Sequence, residues 1–405
     1  MSSPEAIERL AADFIHRPYE LYARLRAEGP VKEIVMPHGV KVWIVTRYDD
    51  VRMLLADDRV SKDGRRVNQL YARHSGADES STSFNDDLTA HMLNSDPPKH
   101  TRLRKLVARE FTTRRVEQIR SRIVAMVDEL LDRMEERDEV DLVADYAVPI
   151  PITVIAELLG IPADDRALFL GWATTLVGAD HAPEEVEAAS TAVIDYAKQL
   201  MERKRAQPQD DLLSGLVHAT DDGESMSEAE LVAMFFLLVV AGQEASTHMI
   251  GNSILALLRN PEQLAKLTGA PELYGSAFDE LMRYDSPVSI ASFRFTKEPI
   301  PLSDGVTIPA EEILVLSLGS AGRDPHKFEQ PEVLDVTRKH TGVLSFGHGV
   351  HYCVGAPLAR MEVEIALRRL FERYPELRLA RQPQELRYRN STLMRGLTAL
   401  PVATK

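Results

Sequence analysis

A ten-residue stretch, Phe346-Gly347-His348-Gly349-Val350-His351-Tyr352-Cys353-Val354-Gly355, holds the only cysteine of the 405-residue chain and runs straight into Ala356-Pro357. A single thiol forms no disulfide within its own chain, so its surroundings decide its role. Glycines at 347, 349 and 355 let a loop pass close to a flat ligand, and proline at 357 suits the first turn of a helix. Cys353 is therefore expected just before a helix N-terminus. Unpaired N–H groups and the helix dipole there are predicted to lower the thiol pKa and make the sulfur a metal ligand or a nucleophile. The alternative, a small buried hydrophobe, is the common state of a free cysteine. The glycine-rich approach favours chemistry.

The spacing Phe-x-x-Gly-x-His-x-Cys-x-Gly from Phe346 to Gly355 resembles the haem-binding loop of the cytochrome P450 superfamily. It constrains an aromatic, two glycines, a histidine and a cysteine within one short loop, which makes it far more specific than a lone Gly-x-Gly. The resemblance implies that Cys353 is the thiolate ligand of the iron of haem b, iron protoporphyrin IX, which sets the electron density at the metal. Phe346 and Gly355 are then cofactor contacts. It also implies a mainly α fold with small peripheral β-sheets.

Composition agrees with a large globular chain: 44% of residues are hydrophobic, 27% are charged, and no linker or internal repeat divides the sequence. The expectation is one domain over 1–405, with a β-rich portion about 31–60, C-terminal hairpins and a helical core about 98–375. The N-terminus lacks a basic segment followed by an apolar one, and the longest apolar run, Leu231 to Ala241, is short for a membrane span. A cytoplasmic monomer without membrane attachment is expected. The net charge of −14 argues against nucleic-acid binding. One stretch is basic: Arg102, Arg104, Lys105, Arg109, Arg114, Arg115, Arg120 and Arg122 accompany only Glu110 and Glu117. It reads either as a solvated helix face or as a docking surface for a small acidic electron carrier.

Along the chain, Val40 to Thr46 is a β-branched run, followed by a short helix around Asp49 to Ala56. Residues Ser61 to Pro97 are polar and without period, a candidate access loop. Helical patterning then continues to about Leu267, with breaks at Pro149–Pro151, Gly160–Pro162, Asp180–Pro183 and Asp221–Gly223. Asn260, Pro261 and Gln263 predict an N-cap, a proline at N1 and a capping-box glutamine. Short strands are expected within Pro299 to Leu316 and Glu385 to Leu400.

The run Leu231 to Ala241 is apolar on every side, which describes a helix buried all round, and then turns polar at Gly242-Gln243-Glu244-Ala245-Ser246-Thr247. A mid-helix glycine costs ~1 kcal/mol, so something bulky is expected against Gly242. Glu244 is predicted to be a buried or cleft carboxylate with a raised pKa unless paired. This segment resembles the superfamily's central helix, Ala-Gly-x-(Asp/Glu)-Thr-(Thr/Ser), which crosses the distal face of the cofactor. Ala241, Gly242 and Glu244 match, whereas Ala245 stands where the resemblance expects threonine. In the family that hydroxyl and the acid deliver protons during dioxygen activation, and an alanine side chain offers no hydrogen bond. Ser246 and Thr247 lie roughly 100° and 200° further round the helix, so neither simply replaces it. Ser246 could bond back to the Gly242 carbonyl and admit a water. A relay completed by a substrate hydroxyl is the hypothesis, with Glu362 matching a glutamate that takes part in such a relay in related enzymes.

Glu280 and Arg283, spaced i, i+3, match the family's structural ion pair. Val333 occupies the place of the usual third basic group, which puts the three-membered network in question and leaves open whether Arg338 compensates. By the same resemblance, His100, Arg104, Arg294 and His351 hold the haem propionates, which need charge-assisted partners. Met92, Leu93, Val239, Ala241, Ala245, Val288, Ile290, Ala291 and Leu393 face the substrate, and their apolar character suits a bulky hydrophobic molecule. The function implied is a monooxygenase that hydroxylates or epoxidises a macrolide- or polyketide-like secondary metabolite. It would draw on O2 and on electrons from a ferredoxin and its reductase, since the chain has no flavin or nucleotide fingerprint. Oxidative coupling or ring formation without oxygen insertion is the alternative in the same fold. Outside that fold, a cysteine hydrolase or a passive haem binder remains open.

Overall fold

The computed structural model describes residues 7–75, 86–177, 182–221, 223–339 and 342–405. It is mainly α with small sheets, as expected. The largest sheet has six strands, ordered Glu8–Arg9, Val31–Val35, Lys41–Val45, Ile313–Leu316, Arg294–Thr296 and Val60–Ser61. Lys41–Val45 joins sequence-distant parts: it pairs antiparallel with Val31–Val35 and parallel with Ile313–Leu316, Trp43 facing Leu314. Val42, Ile44 and Val45 are buried, since both faces of this β-branched run are covered.

The central helix, Glu228–Leu258, spans 31 residues and starts from a capping box: Glu230 N–H donates to Ser227 Oγ at 3.2 Å, and Ser227 N–H donates to Glu230 Oε2 at 3.0 Å. It is long and apolar enough to cross a membrane by length and composition, yet 56% of its most apolar window lies inside the fold. It packs against Pro149–Leu158 and Ala356–Arg373. Ile155 of the first partner fills the space beside Gly242, whose missing Cβ would stand 3.2 Å from it. The bulky neighbour expected at Gly242 is thus a protein side chain.

Several local expectations are corrected. Residues 61–97 are not wholly irregular: Gly64–Ser75 is a helix, Asp86–Thr89 a single turn and Met92–Asn94 a 3-10 turn, while 76–85 lie outside the described residues. Amphipathic spacing of Val67 and Leu70 on the sheet, both buried, overrides the polar composition. The break at Pro149–Pro151 is a helix boundary: Val143–Ala147 ends just before it, and Pro149 and Pro151 lie in the first turn of Pro149–Leu158, where proline is tolerated. Asn260 does not cap with its side chain; its Nδ2 donates back to Ala256 O at 2.8 Å, and Gln263 Oε1 accepts from Val336 N–H at 3.1 Å. Of the breaks, residues 178–181 and 222 are outside the described set.

The basic stretch is not a free cationic face. Arg102 pairs with Glu230, Lys105 and Arg109 with Asp221, Arg115 with Glu110 and Asp210, Arg120 with Glu117, and Arg122 with Glu157. Partners from elsewhere in the sequence engage Arg102, Lys105, Arg109, Arg115 and Arg122, so most of the stretch is ion-paired.

The Glu280–Arg283 pair has no exposed side-chain surface. Arg283 Nε and Nη2 donate to the two Glu280 oxygens at 2.7 and 2.8 Å, and its remaining donors reach Gly322 O, Pro331 O and Val333 O. Glu280 Oε1 also accepts from Asp335 N–H at 2.8 Å and from Arg338 Nε at 3.3 Å. Arg338 therefore supplies the third cation, and Val333 contributes a backbone carbonyl. The network ties the helix Tyr274–Tyr284 to the segment leading into the cysteine loop.

Candidate active site and cofactor cradle

The cysteine loop is shaped by left-handed glycines. Gly347 and Gly349 have φ of 76° and 72°, and a Cβ on Gly349 would sit 3.0 Å from Leu55 O and Ala56 Cα. Phe346 stacks on Phe278 with ring centroids 5.8 Å apart, and its carbonyl accepts from Cys353 N–H at 2.9 Å. Gly355 is the N-cap of Ala356–Arg373, with Pro357 in the first turn. The N–H groups of Gly355 and Ala356 donate to the Cys353 sulfur, as a helix N-terminus should.

The expected fall in the thiol pKa is overturned. Burial pushes Cys353 up, and the two backbone donors together with Arg104 offset only part of that cost. A cation bound at the sulfur would reverse the balance, because a coordinating thiol is deprotonated outright. Among the described residues no group of three or more His, Cys, Asp and Glu side chains could hold a bare metal ion. Cys353 can offer one ligand, so a metal held there must bring its remaining ligands with it.

Facing the loop is a buried cluster of cationic and imidazole groups. His100 and His351 rings lie 4.2 Å apart, and both His100 ring nitrogens are buried without a hydrogen-bond partner. Arg294 Nη1 donates to Ser292 O, and Lys62 Nζ donates to Ser292 Oγ, each at 2.6 Å. Among the described residues neither Lys62 nor Arg294 contacts a carboxylate in an ion pair, although both are buried. Asp96 is taken by Ser61 Oγ and by the Lys62 N–H at 2.9 Å. Burial depresses the whole cluster, and repulsion by neighbouring cations adds to it at His351, His100, His91 and Lys62. His351 is pushed down to about 2, by burial first and then by Lys62, His100, Arg294 and Arg104. Burial lowers Arg294 to about 10, and burial followed by Lys62 lowers His91 to about 4. Burial carries Lys62 well below the usual lysine value and also lowers Arg104 and His100.

Buried cations without counter-ions are costly unless an anion completes them. The cradle fits a flat ligand carrying carboxylates, as haem does. The structure brings the four expected clamp residues together and adds Lys62 and His91, whose polar loop context concealed their burial.

On the central helix, Glu244 is paired with a residue that local spacing could not reveal. Arg389 Nη1, from the C-terminal hairpin, donates to Glu244 Oε1 at 2.8 Å and to His248 Nε2 at 3.0 Å. Burial still raises Glu244, with Arg389 offsetting part of the shift. Burial first and Arg389 second bring His248 down to about 3, so the ring is neutral near pH 7. Ser246 does not bond back to Gly242; it lies against Glu362, which is 2% exposed and whose Oε2 has no partner.

Burial pushes Glu362 up to about 8, against the opposing influence of Ser246. A carboxyl whose pKa is higher folded than unfolded binds protons more tightly in the native state. Its stabilising contribution is complete below about pH 4.5 and is lost as pH rises toward 8, at up to about 1.4 kcal/mol per unit. Glu362→Gln is expected to remove that loss, so the variant gains stability over the native chain at pH 8 but not at pH 4.5. Denaturant midpoints at both pH values check this, and an equal difference at both would refute it.

The expected substrate-facing residues divide. Ala241 is exposed, and Leu93, Ala245, Val288 and Leu393 are half-buried, so each has surface to offer a ligand. Met92, Val239, Ile290 and Ala291 are buried within hydrophobic clusters. Ala241 and Ala245 keep open surface midway along the largely buried central helix, on either side of Glu244 in sequence.

The family model described as Cytochrome P450 matches residues 272–398. The chain is 47% identical over 404 residues to Cytochrome P450 107B1 of Saccharopolyspora erythraea, covering 99% of each. It is 39% identical over 392 residues to 6-deoxyerythronolide B hydroxylase of the same organism, covering 95% of each. The solved structure of the tirandamycin C-bound P450 monooxygenase TamI superposes with a TM-score of 0.90 at 43% identity, covering 98% of this chain and all of that one.

Proposed function

The chain belongs to the cytochrome P450 family, as an oxidoreductase of the monooxygenase class, and from that premise we propose that it oxidises a bulky, polyketide-like secondary metabolite beside Glu244. The observation that carries this reading is the juxtaposition of the Cys353 loop with a cationic cradle in which buried Lys62 and Arg294 have no ion-pair partner among the described residues and both His100 ring nitrogens have no hydrogen bond. When bound, haem supplies dioxygen activation at a thiolate-ligated iron. Cys353 would hold the metal, the Gly355 and Ala356 N–H groups would moderate the basicity of its sulfur, and Phe346 would brace the loop on Phe278. His100, Arg104, Arg294 and His351, joined by Lys62 and His91, would take the propionates. Electrons would come from a ferredoxin and its reductase, and the enzyme would work as a cytoplasmic, single-domain monomer.

Proton delivery falls to Glu244, with Ser246 and Glu362 behind it. Ala245 gives the relay no hydroxyl, so a substrate hydroxyl and an ordered water would complete it. That gap also favours the second reading, oxidative coupling without oxygen insertion. The test screens tirandamycin C and 6-deoxyerythronolide B for a Soret shift. The responding probe is then turned over under isotopically labelled dioxygen with the native enzyme and Ala245→Thr. Label in the product supports monooxygenation, and its absence supports coupling. Coupling of NAD(P)H oxidation to product is expected not to rise in Ala245→Thr; a rise would show that the substrate does not supply the missing group.

A further inference from the structure

The contact between Glu244 and the C-terminal hairpin has a form suited to more than holding two elements together. Glu244 and His248 are four residues apart and share one face of the central helix. One guanidinium nitrogen of Arg389 serves both, at 2.8 and 3.0 Å. Arginine carries no acceptor, so His248 Nε2 must be the accepting nitrogen and its ring proton resides on Nδ1. Arg389 and Gly396 are themselves joined across the hairpin, Arg389 N–H donating to Gly396 O at 2.9 Å. Any Cβ at Gly396 would overlap the His248 ring, so the hairpin backbone presses directly on the imidazole. His248 is thereby immobilised between helix and hairpin, and it seats the guanidinium.

The carboxylate so held is asymmetric. Oε1 is bound to Arg389, whereas Oε2 makes no hydrogen bond among the described residues. One oxygen anchored and one open is the arrangement needed by a group that must hand on a proton from a stated position. The same hairpin carries Leu393, whose carbonyl accepts from Ser289 N–H at 3.1 Å, while Met394 bridges Val288. Arg389 thus sits on the element that also borders the expected substrate segment after Pro287.

We propose that Arg389, seated on His248, is the positioning residue that orients Glu244 for proton delivery and links it to the hairpin beside the substrate. This rests on Glu244 being the relay acid. Removing the cation leaves a buried carboxyl with no partner, which then favours its neutral form and is free to turn.

The test compares holoenzymes of the native chain, Arg389→Met, Arg389→Lys and Glu244→Gln. Infrared difference spectra at neutral pH should show a protonated-carboxyl band growing in Arg389→Met and absent from Arg389→Met combined with Glu244→Gln. Peroxide released per NAD(P)H is then followed with a surrogate ferredoxin chain and tirandamycin C as the probe. The product-to-peroxide ratio should fall by on the order of tenfold or more in Arg389→Met, and Arg389→Lys should recover most of it. If Arg389→Met does not load haem, Arg389→Gln carries the same two measurements. A Glu244→Gln enzyme as well coupled as the native one would remove the relay reading itself. An uncoupled Glu244→Gln beside an Arg389→Met enzyme with native coupling and no new band would overturn the positioning role alone.

Discussion

Cys353→Ser abolishes the thiolate-type spectrum of the reduced carbon monoxide complex and lowers turnover by at least about a hundredfold, the scale of losing one preorganised catalytic group. The reason lies in the loop. Phe346 O, the Gly355 and Ala356 N–H groups and the left-handed turns at Gly347 and Gly349 place one sulfur at a helix N-terminus. A serine hydroxyl keeps the shape, with a much harder and less acidic ligand. The fold should survive, because serine nearly matches cysteine in size and the substitution leaves no large void. Far-ultraviolet circular dichroism on the same sample checks that. A Cys353→Ser protein that retained the thiolate spectrum would exclude this sulfur as the iron ligand.

Glu280→Ala is expected to cost about 3–5 kcal/mol of stability, the range for breaking a buried pair by removing one partner. The substitution leaves Arg283, whose side chain is wholly inaccessible, without its carboxylate, and also strips Asp335 N–H and Arg338 of an acceptor. Arg283→Lys should fail almost as badly. A lysine ammonium has no planar fork to bind the carboxylate at two points while reaching the Gly322, Pro331 and Val333 carbonyls. Denaturant unfolding of the holo-proteins measures both. A loss below about 1 kcal/mol, the value for exposed pairs, would show that the network is not what braces the cysteine loop.

Much of the site could be read from residue order because its chemistry is local. The cysteine loop, the mid-helix glycine, the acid at 244 and the absent alcohol at 245 all fall within single segments, where spacing alone places groups on one loop or one helix face. Arg338 illustrates the intermediate case. It was visible as a nearby cation, but only the fold decides that its Nε reaches Glu280 while Val333 turns its carbonyl inward. The basic stretch from Arg102 to Arg122 shows how local reading misleads. Its counter-charges Asp221, Glu230 and Glu157 come from other helices and loops, and charge balance depends on distance in space.

The sequence by itself determined the cysteine loop, the buried central helix, the mainly α class and the departure at Ala245, since each is a pattern of side-chain types at short, regular spacing. Tertiary structure alone decided which groups are charged and to whom they are bound. Lys62 lies among the propionate-binding candidates, Glu362 is sealed against Ser246, and Arg389 reaches Glu244 across 145 positions of chain. Burial and partner distance set those energies, and both come into existence only when remote segments pack together.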